Sequence, residues 1–384
     1  KRLPELHNLI EDQVDSPDIF AQHTAKILLP LIKQAEILAR KYDAVVANPP
    51  YMGGKGMNAE LKAFAKQNYP DVKSDTFAMF IERCSNLGKE SANLGFVTPY
   101  TWMFISSYEK LRDYLFSNKS IDSLVKPSYT CFFASAIVPL VTFTVQKSIE
   151  NIKGVYIDLG YLGSAESQPI KLLESINSSD SKMKYVACRD DFKKIPASPI
   201  AYWASSKILE LFEKKNIGSI ADTRLGMATA DNNKFLRYWY EVEYLKLGLK
   251  MSSRKEAVQS KMKWFSYQKG GDFRKWYGNL DYVVNWENDG IQIQSFTDEK
   301  TGKIRSHNYN LDYIFKDGIT WNALSSSNMS ARVSEKSLFD NAGSSLFAHN
   351  DNSHSIILAF LNSSIISNLI KLISPTLNYQ PGDI

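Results

Sequence analysis

Apolar residues recur at helical spacing over residues 18–40, where Ile19, Phe20, Ile27, Leu28, Leu31, Ile32, Ala35 and Leu38 fall on related faces. Pro30 sits inside this pattern and predicts a kink or a break, because proline lacks an N–H and clashes with the preceding turn. A short apolar run, Ala44-Val45-Val46-Ala47, predicts a strand that stops at Asn48-Pro49-Pro50-Tyr51, and a loop carrying Gly53, Gly54 and Gly56 follows. Residues 74–88 read as a helix with Phe77, Phe80, Ile81 and Leu87 on one side. Gly95-Phe96-Val97-Thr98-Pro99 reads as a strand, and residues 107–117 as a helix through Tyr108, Leu111, Tyr114 and Leu115. Two further strands are expected at 121–125 and 137–145. Alternation of strands and helices predicts an α/β sheet covered by helices.

After about residue 150 the texture changes. Ser-rich stretches at 176–181 and 325–330 and turns such as Gly270-Gly271-Asp272 and Asn288-Asp289-Gly290 separate short mixed strands, which predicts an α+β domain. With 384 residues the chain has room for two domains. We divide it into an α/β part over 1–150, a connecting segment over 151–200 and a second domain over 201–384.

Composition narrows the class. Hydrophobic residues at 44% and charged residues at 23% are those of a globular chain. The net charge of +5 is compatible with a nucleic-acid partner without requiring one. Cys84, Cys131 and Cys188 are odd in number and widely spaced, so neither a disulfide framework nor a zinc site is expected, and a reducing cytosol is the expected compartment. His349 and His354 have no acidic residue placed to complete a metal site, so no metal is expected. No apolar run approaches the length of a membrane span, and the first residues carry no signal region.

The segment that carries chemistry is Asn48-Pro49-Pro50-Tyr51 at the end of a strand. The carboxyl edge of a parallel sheet is where α/β enzymes bind ligands. Two consecutive prolines fix φ and remove two N–H donors, leaving carbonyls of the turn to accept from a ligand. An exocyclic amine conjugated to a base is a poor nucleophile. Two acceptors on its N–H bonds can draw it toward a tetrahedral form and stabilise the positive charge that develops. The Asn48 side-chain oxygen and the Pro49 carbonyl suit that task, and the Tyr51 ring offers a stacking face.

This segment resembles the Asn-Pro-Pro-Tyr motif of amino-group methyltransferases that use S-adenosylmethionine, and Asn in first place resembles the adenine-N6 type. Ser74-Asp75-Thr76-Phe77-Ala78-Met79-Phe80 resembles the family's next helix, and Gly95–Pro99 its next strand. Cys131-Phe132-Phe133-Ala134-Ser135-Ala136 resembles the late segment whose aromatic residue packs on the flipped target base, a role the resemblance gives to Phe133, with Phe132 as the alternative. It implies Asn48, Pro49, Pro50 and Tyr51 as catalytic residues, Tyr51 and Phe133 as stacking residues, and Asn48 beside the cofactor. Residues 1–47 contain no glycine, so the glycine-rich cofactor turn is expected upstream of this chain. Asp158-Leu159-Gly160-Tyr161-Leu162-Gly163 superficially resembles such a turn, but the following Ser164–Pro169 is polar and ends in proline instead of opening a long helix. The implied fold is the C-terminal half of a Rossmann-like α/β methyltransferase domain followed by an α+β target-recognition domain.

Residues 246–275 hold nine Lys or Arg against two acids, with Trp264, Phe265, Tyr267 and Phe273 interleaved, a pattern suited to phosphates and bases. Gly226-Met227-Ala228-Thr229, the stretch from Lys263 to Gly271, Trp276-Tyr277-Gly278-Asn279, Ile319-Thr320-Trp321 and the C-terminal Pro375–Ile384 resemble target-recognition regions of BREX-type phage-defence methyltransferases and of fused restriction–modification enzymes. The resemblance implies double-stranded DNA as partner, other phage-defence proteins as further partners, and a bacterial cytoplasmic location. We take Lys263, Trp264, Lys269, Arg274, Lys275, Trp276 and Tyr277 as DNA contacts. Three other readings stay open: a fused restriction endonuclease–methyltransferase, a protein-glutamine methyltransferase, and a DNA-specificity module without catalysis.

Overall fold

The apolar run before the Asn-Pro-Pro-Tyr turn forms β1 (Tyr42–Ala47), which pairs in parallel with β2 (Gly88–Pro99). The computed structural model describes residues 2–129, 139–147, 150–162, 165–324, 328–373 and 379–384. Contacts within the chain divide it into two units, Lys1–Trp203 and Ala204–Ile384.

In the first unit β3 (Lys119–Lys126), β4 (Leu140–Lys147), β5 (Gly154–Asp158) and β6 (Lys184–Ala187) complete a six-stranded sheet in the order β1-β2-β4-β3-β5-β6. The β1/β2 and β3/β5 pairs are parallel and the others antiparallel. Segment 151–200, expected as a connection, instead supplies β5 and β6 to this sheet. The reason is packing: Tyr156 of β5 is buried, stacks on Tyr202 and meets Phe192 edge-on, so the segment has a core of its own to close.

Helices α1 (Leu3–Glu11) and α2 (Ile19–Ala39) precede the sheet. Asp18 caps α2 by accepting from the Phe20 N–H. Of the kink or break expected at Pro30, the break does not occur: the helix continues through it. Lys26, whose carbonyl loses its donor there, is exposed, so water can serve it. Only Ala25 of α2 is buried, and Ile19, Phe20, Ile27, Leu31, Ile37 and Leu38 are exposed. Helix α3 (Ala59–Asn68) follows the motif loop. Helix α4 (Thr76–Leu87) lays Phe77, Ala78, Ile81 and Cys84 against the sheet, and α5 (Glu109–Asn118) adds Leu111 and Leu115 to the same core. Trp102 and Phe143 meet at 4.9 Å between ring centres in its middle.

The second unit holds two sheets. The first comprises β8 (Leu236–Tyr238), β9 (Leu247–Gly248), β10 (Trp264–Gln268), β11 (Tyr282–Asn285) and β14 (Leu338–Phe339), in the order β14-β10-β11-β8 with β9 also on β10. The other runs β13 (Ala331–Ser334), β12 (Gly318–Trp321), β15 (Ser345–Ala348), β7 (Ala221–Arg224), and helices His354–Leu361 and Ser364–Ile373 bury Ile357, Leu361, Ile366 and Ile370 in its core. The Asn288-Asp289-Gly290 turn has three successive left-handed residues. A Cβ on Gly290 would lie 2.4 Å from the Trp286 ring, so this position requires glycine on both counts. No single helix among the described residues is long and apolar enough to cross a membrane.

Candidate active site and nucleic-acid interface

β1 ends at Ala47, so Asn48, Pro49 and Pro50 leave the sheet at its carboxyl edge. Strand registers bring the ends of β2, β3 and β5, at Pro99, Lys126 and Asp158, to the same edge. Asn48 is exposed and Pro49 buried. Among the described residues no donor reaches the Pro49 carbonyl, as a turn that offers acceptors to a ligand requires.

The turn is held from one place. Asp75 Oδ1 accepts from the Met52 N–H at 2.9 Å, and Thr76 Oγ1 accepts from the same N–H at 3.0 Å. The Thr76 hydroxyl donates to the Pro50 carbonyl, and the Thr76 N–H donates to the Met52 carbonyl at 3.2 Å. Both side chains are buried. Asp75 is also the N-cap of α4, accepting from the Phe77 N–H at 3.2 Å. One helix start thus fixes the backbone on both sides of Tyr51.

The Tyr51 hydroxyl lies 2.9 Å from Asn48 Oδ1 and 3.1 Å from the Val97 carbonyl. Its ring meets Phe77 edge-on at 6.4 Å and stays 40% exposed, which leaves ring surface for a ligand. Burial pushes the Tyr51 phenol above its ordinary value, so it is a neutral hydrogen-bonding group at neutral pH. Burial, with Asp75 adding to it, lifts Tyr108 to about 12. Phe133, expected to stack on the base, and its alternative Phe132 lie outside the described residues.

Asp158 at the end of β5 is fully engaged: Lys126 reaches it at 3.1 Å, the Tyr202 hydroxyl donates to it at 2.8 Å and the Gly160 N–H at 2.9 Å. This carboxylate braces the sheet edge. Gly163 lies outside the described residues. No group of three or more His, Cys, Asp or Glu among the described residues is arranged to hold a metal ion.

The basic stretch separates into two classes of side chain. Lys269 reaches Asp340 at 3.3 Å, a buried carboxylate that also accepts from the Tyr267 hydroxyl at 2.7 Å. Lys263 lies 3.9 Å from Glu287. Trp264 is half-buried, with Arg237 and Lys263 over its ring at 5.7 and 5.9 Å. These three are tied into the fold. Arg274, by contrast, is exposed, and neither it nor Lys275 has a carboxylate within ion-pair distance among the described residues; Lys275 donates to the Asn362 carbonyl at 2.7 Å. Trp276 and Tyr277 are 53% and 63% exposed.

Sequence reasoning missed three residues at two places in the fold, Asp75 and Thr76 at one and Arg332 at the other. Asp75 and Thr76 carried only a helix-start signal, and nothing in a linear pattern says that a cap also reaches a turn more than twenty residues back. Arg332 is wholly buried, with Asn322 Oδ1 at 2.8 Å from its Nη2; burial and then Arg274 lower it to about 10. No motif or charge pattern in the sequence marks it.

Residues 2–132 match the Eco57I restriction-modification methylase family. The chain is 39% identical over 360 residues to the adenine-specific methyltransferase PglX of Lacticaseibacillus casei strain Zhang, covering 92% of this chain and 30% of that protein. It is 38% identical over 376 residues to the adenine-specific methyltransferase BrxX of Escherichia coli O9:H4 strain HS, covering 96% and 29%. The chain thus spans about 30% of the length of these relatives. The type IIL restriction-modification enzyme MmeI, solved in complex with DNA, superposes with a TM-score of 0.54 at 13% identity over 88% of this chain and 45% of that one, a likeness of fold.

Proposed function

We propose, from the premise that this chain carries an Eco57I-type methylase region and is related to the adenine-specific methyltransferases PglX and BrxX, that it is the target-base half and the DNA-recognition region of an enzyme that methylates adenine N6 in duplex DNA. The observation that carries the reading is the clasped Asn48–Tyr51 turn at the carboxyl edge of the sheet, with the Asn48 side chain exposed and the Pro49 carbonyl without a donor among the described residues.

In this reading the base is swung out of the duplex. Asn48 Oδ1 and the Pro49 carbonyl accept the two N–H bonds of the amino group, and the developing cation is stabilised where it forms. Tyr51 supports the base through its exposed ring. S-adenosylmethionine supplies an electrophilic methyl group. Its principal binding turn is assigned to a part of the parent protein upstream of this chain. The second unit binds the duplex, and the parent acts in bacterial phage defence in the cytoplasm, with other defence proteins as partners. A nuclease fused elsewhere in the parent is compatible with the same site.

In the full-length protein, Asn48→Ala abolishes transfer and leaves DNA binding intact. Single-molecule sequencing of host DNA shows N6-methyladenine; methylcytosine without methyladenine would refute the assignment.

A further inference from the structure

The geometry points to residues 270–279 as a preorganised aromatic wedge that stacks Trp276 and Tyr277 against bases of the bound DNA, an inference that rests on the DNA partner proposed above. Trp276 has φ +74°, a conformation that bulky L-residues rarely adopt. Gly271, Gly278 and Asn279 are also at positive φ, at 132°, 122° and 59°. Such strain persists only where surrounding structure imposes it.

Here three side chains impose it, two from outside the loop and one, Asn279, from within it. Asn322 donates to the Gly271 carbonyl at 2.6 Å, Asn279 donates to the Asp272 carbonyl at 2.9 Å, and the buried Arg332 donates to the Arg274 carbonyl at 3.3 Å. The Trp276 N–H donates to the Ala331 carbonyl at 2.9 Å and its carbonyl accepts from Val333 at 3.0 Å, so the strained residue is stitched to β13. All this holds the rings outward: Phe273, Trp276 and Tyr277 are 51%, 53% and 63% exposed. A loop that only joined two strands would place glycine at 276 and bury its rings.

The surroundings favour nucleic acid as the occupant. Arg274 and Lys275 lie between Phe273 and the Trp276–Tyr277 pair, without a carboxylate partner among the described residues. A Cβ at Gly278 would lie 2.9 Å from Arg274 Cδ, so the arginine stem lies across the loop beside the rings. Rings beside cations serve bases beside phosphates. Rigid rings at a DNA surface unstack a base step and occupy the space that opens.

The test is anisotropy titration of a fluorescein-labelled, mixed-sequence duplex with the full-length protein over a range of salt. Trp276→Gly suits the local φ, so its melting temperature matches or exceeds that of the unaltered protein. Its affinity falls roughly tenfold at every salt concentration, with the salt slope unchanged, because stacking is not ionic. The Arg274→Ala/Lys275→Ala pair instead flattens the log–log slope by up to about 0.9 per lost phosphate contact. If Trp276→Gly binds normally while the double variant weakens, the wedge is wrong and the DNA interface stands. If neither changes binding, both readings fall. A lowered melting temperature for Trp276→Gly would make the ring a packing element and overturn the wedge as well.

Discussion

The Tyr51 hydroxyl is within hydrogen-bond distance of both Asn48 Oδ1 and the Val97 carbonyl, at 2.9 and 3.1 Å, and one phenolic proton can serve only one of them at a time. When it serves Asn48 it takes one of the two lone pairs of an acceptor that the proposed mechanism needs, and weakens the other. When a base amine arrives, the proton can turn to Val97 at little cost. Tyr51→Phe therefore frees Asn48 and keeps the stacking ring. We expect methyl transfer to be retained with an equal or lower KM for DNA. Tyr51→Ala loses the ring and should weaken productive base binding by roughly tenfold. Steady-state assays with labelled cofactor and duplex DNA separate the two.

The Asp75–Thr76 clasp acts on the turn and not on the base. Thr76→Val removes the hydroxyl that bridges Met52 and Pro50 while keeping the side-chain shape. Small misplacement of reacting groups costs about 100-fold. We expect kcat to fall by about 10- to 100-fold with KM for DNA little changed, and Thr76→Ser to restore most of it. A parallel loss of DNA affinity would argue for general unfolding of the loop instead.

Lys269 belongs to the fold more than to the interface. Its ammonium faces the buried Asp340, and Lys269→Ala leaves that carboxylate with the Tyr267 hydroxyl and the Ala342 N–H. Loss of one partner of a partly buried pair should lower stability by about 1–2 kcal/mol. Denaturant titration of Lys269→Ala against Arg274→Ala, which is exposed, gives the contrast.

Lys119 should produce a pH signature. It is buried at the start of β3, 3.8 Å from the centre of the Tyr114 ring. Burial, reinforced by Lys147 and opposed by Glu82, lowers it from 10.5 to about 8. Between these values the unfolded chain holds a proton that the native chain has released. Stability from this group is therefore complete above about 10.5 and is lost as pH falls through about 8. Lys119→Met should raise the melting temperature at pH 7 and flatten its rise between pH 8 and 10. An unaltered pH profile would contradict the assignment.

Periodicity located the Asn48–Tyr51 turn because its signal is local. An apolar strand followed by two prolines reads the same in one dimension and in three, and β1 extends the expected run only by Tyr42 and Asp43. β2 proved much longer than 95–99 because Lys89, Glu90 and Ser91 carry no apolar alternation, yet their backbone belongs to the strand. The basic stretch reads differently in one dimension and in three. Composition counts Lys269 and Arg274 alike, but Asp340 lies about seventy residues from Lys269 and only folding brings the two together. The strain at Trp276 is set by Asn322, Arg332 and β13, none of which is near it in sequence.

The exposed flank of β1 has a consequence for handling the protein. Tyr42–Ala47 is the outermost strand of its sheet, with one row of backbone donors and acceptors facing away from β2 and no other described strand beside it. Val46 stands open on it, and α2 exposes Phe20, Leu31 and Leu38. Natural proteins blunt such edges with charge, proline or a covering element. Here Asp43 is the strand's only charged residue, and it is already held by Lys89. Produced by itself, this chain should show concentration-dependent self-association by strand addition, seen as rising sedimentation coefficients and thioflavin-positive material on storage. A lysine in place of Val46 should suppress both without touching the turn that follows.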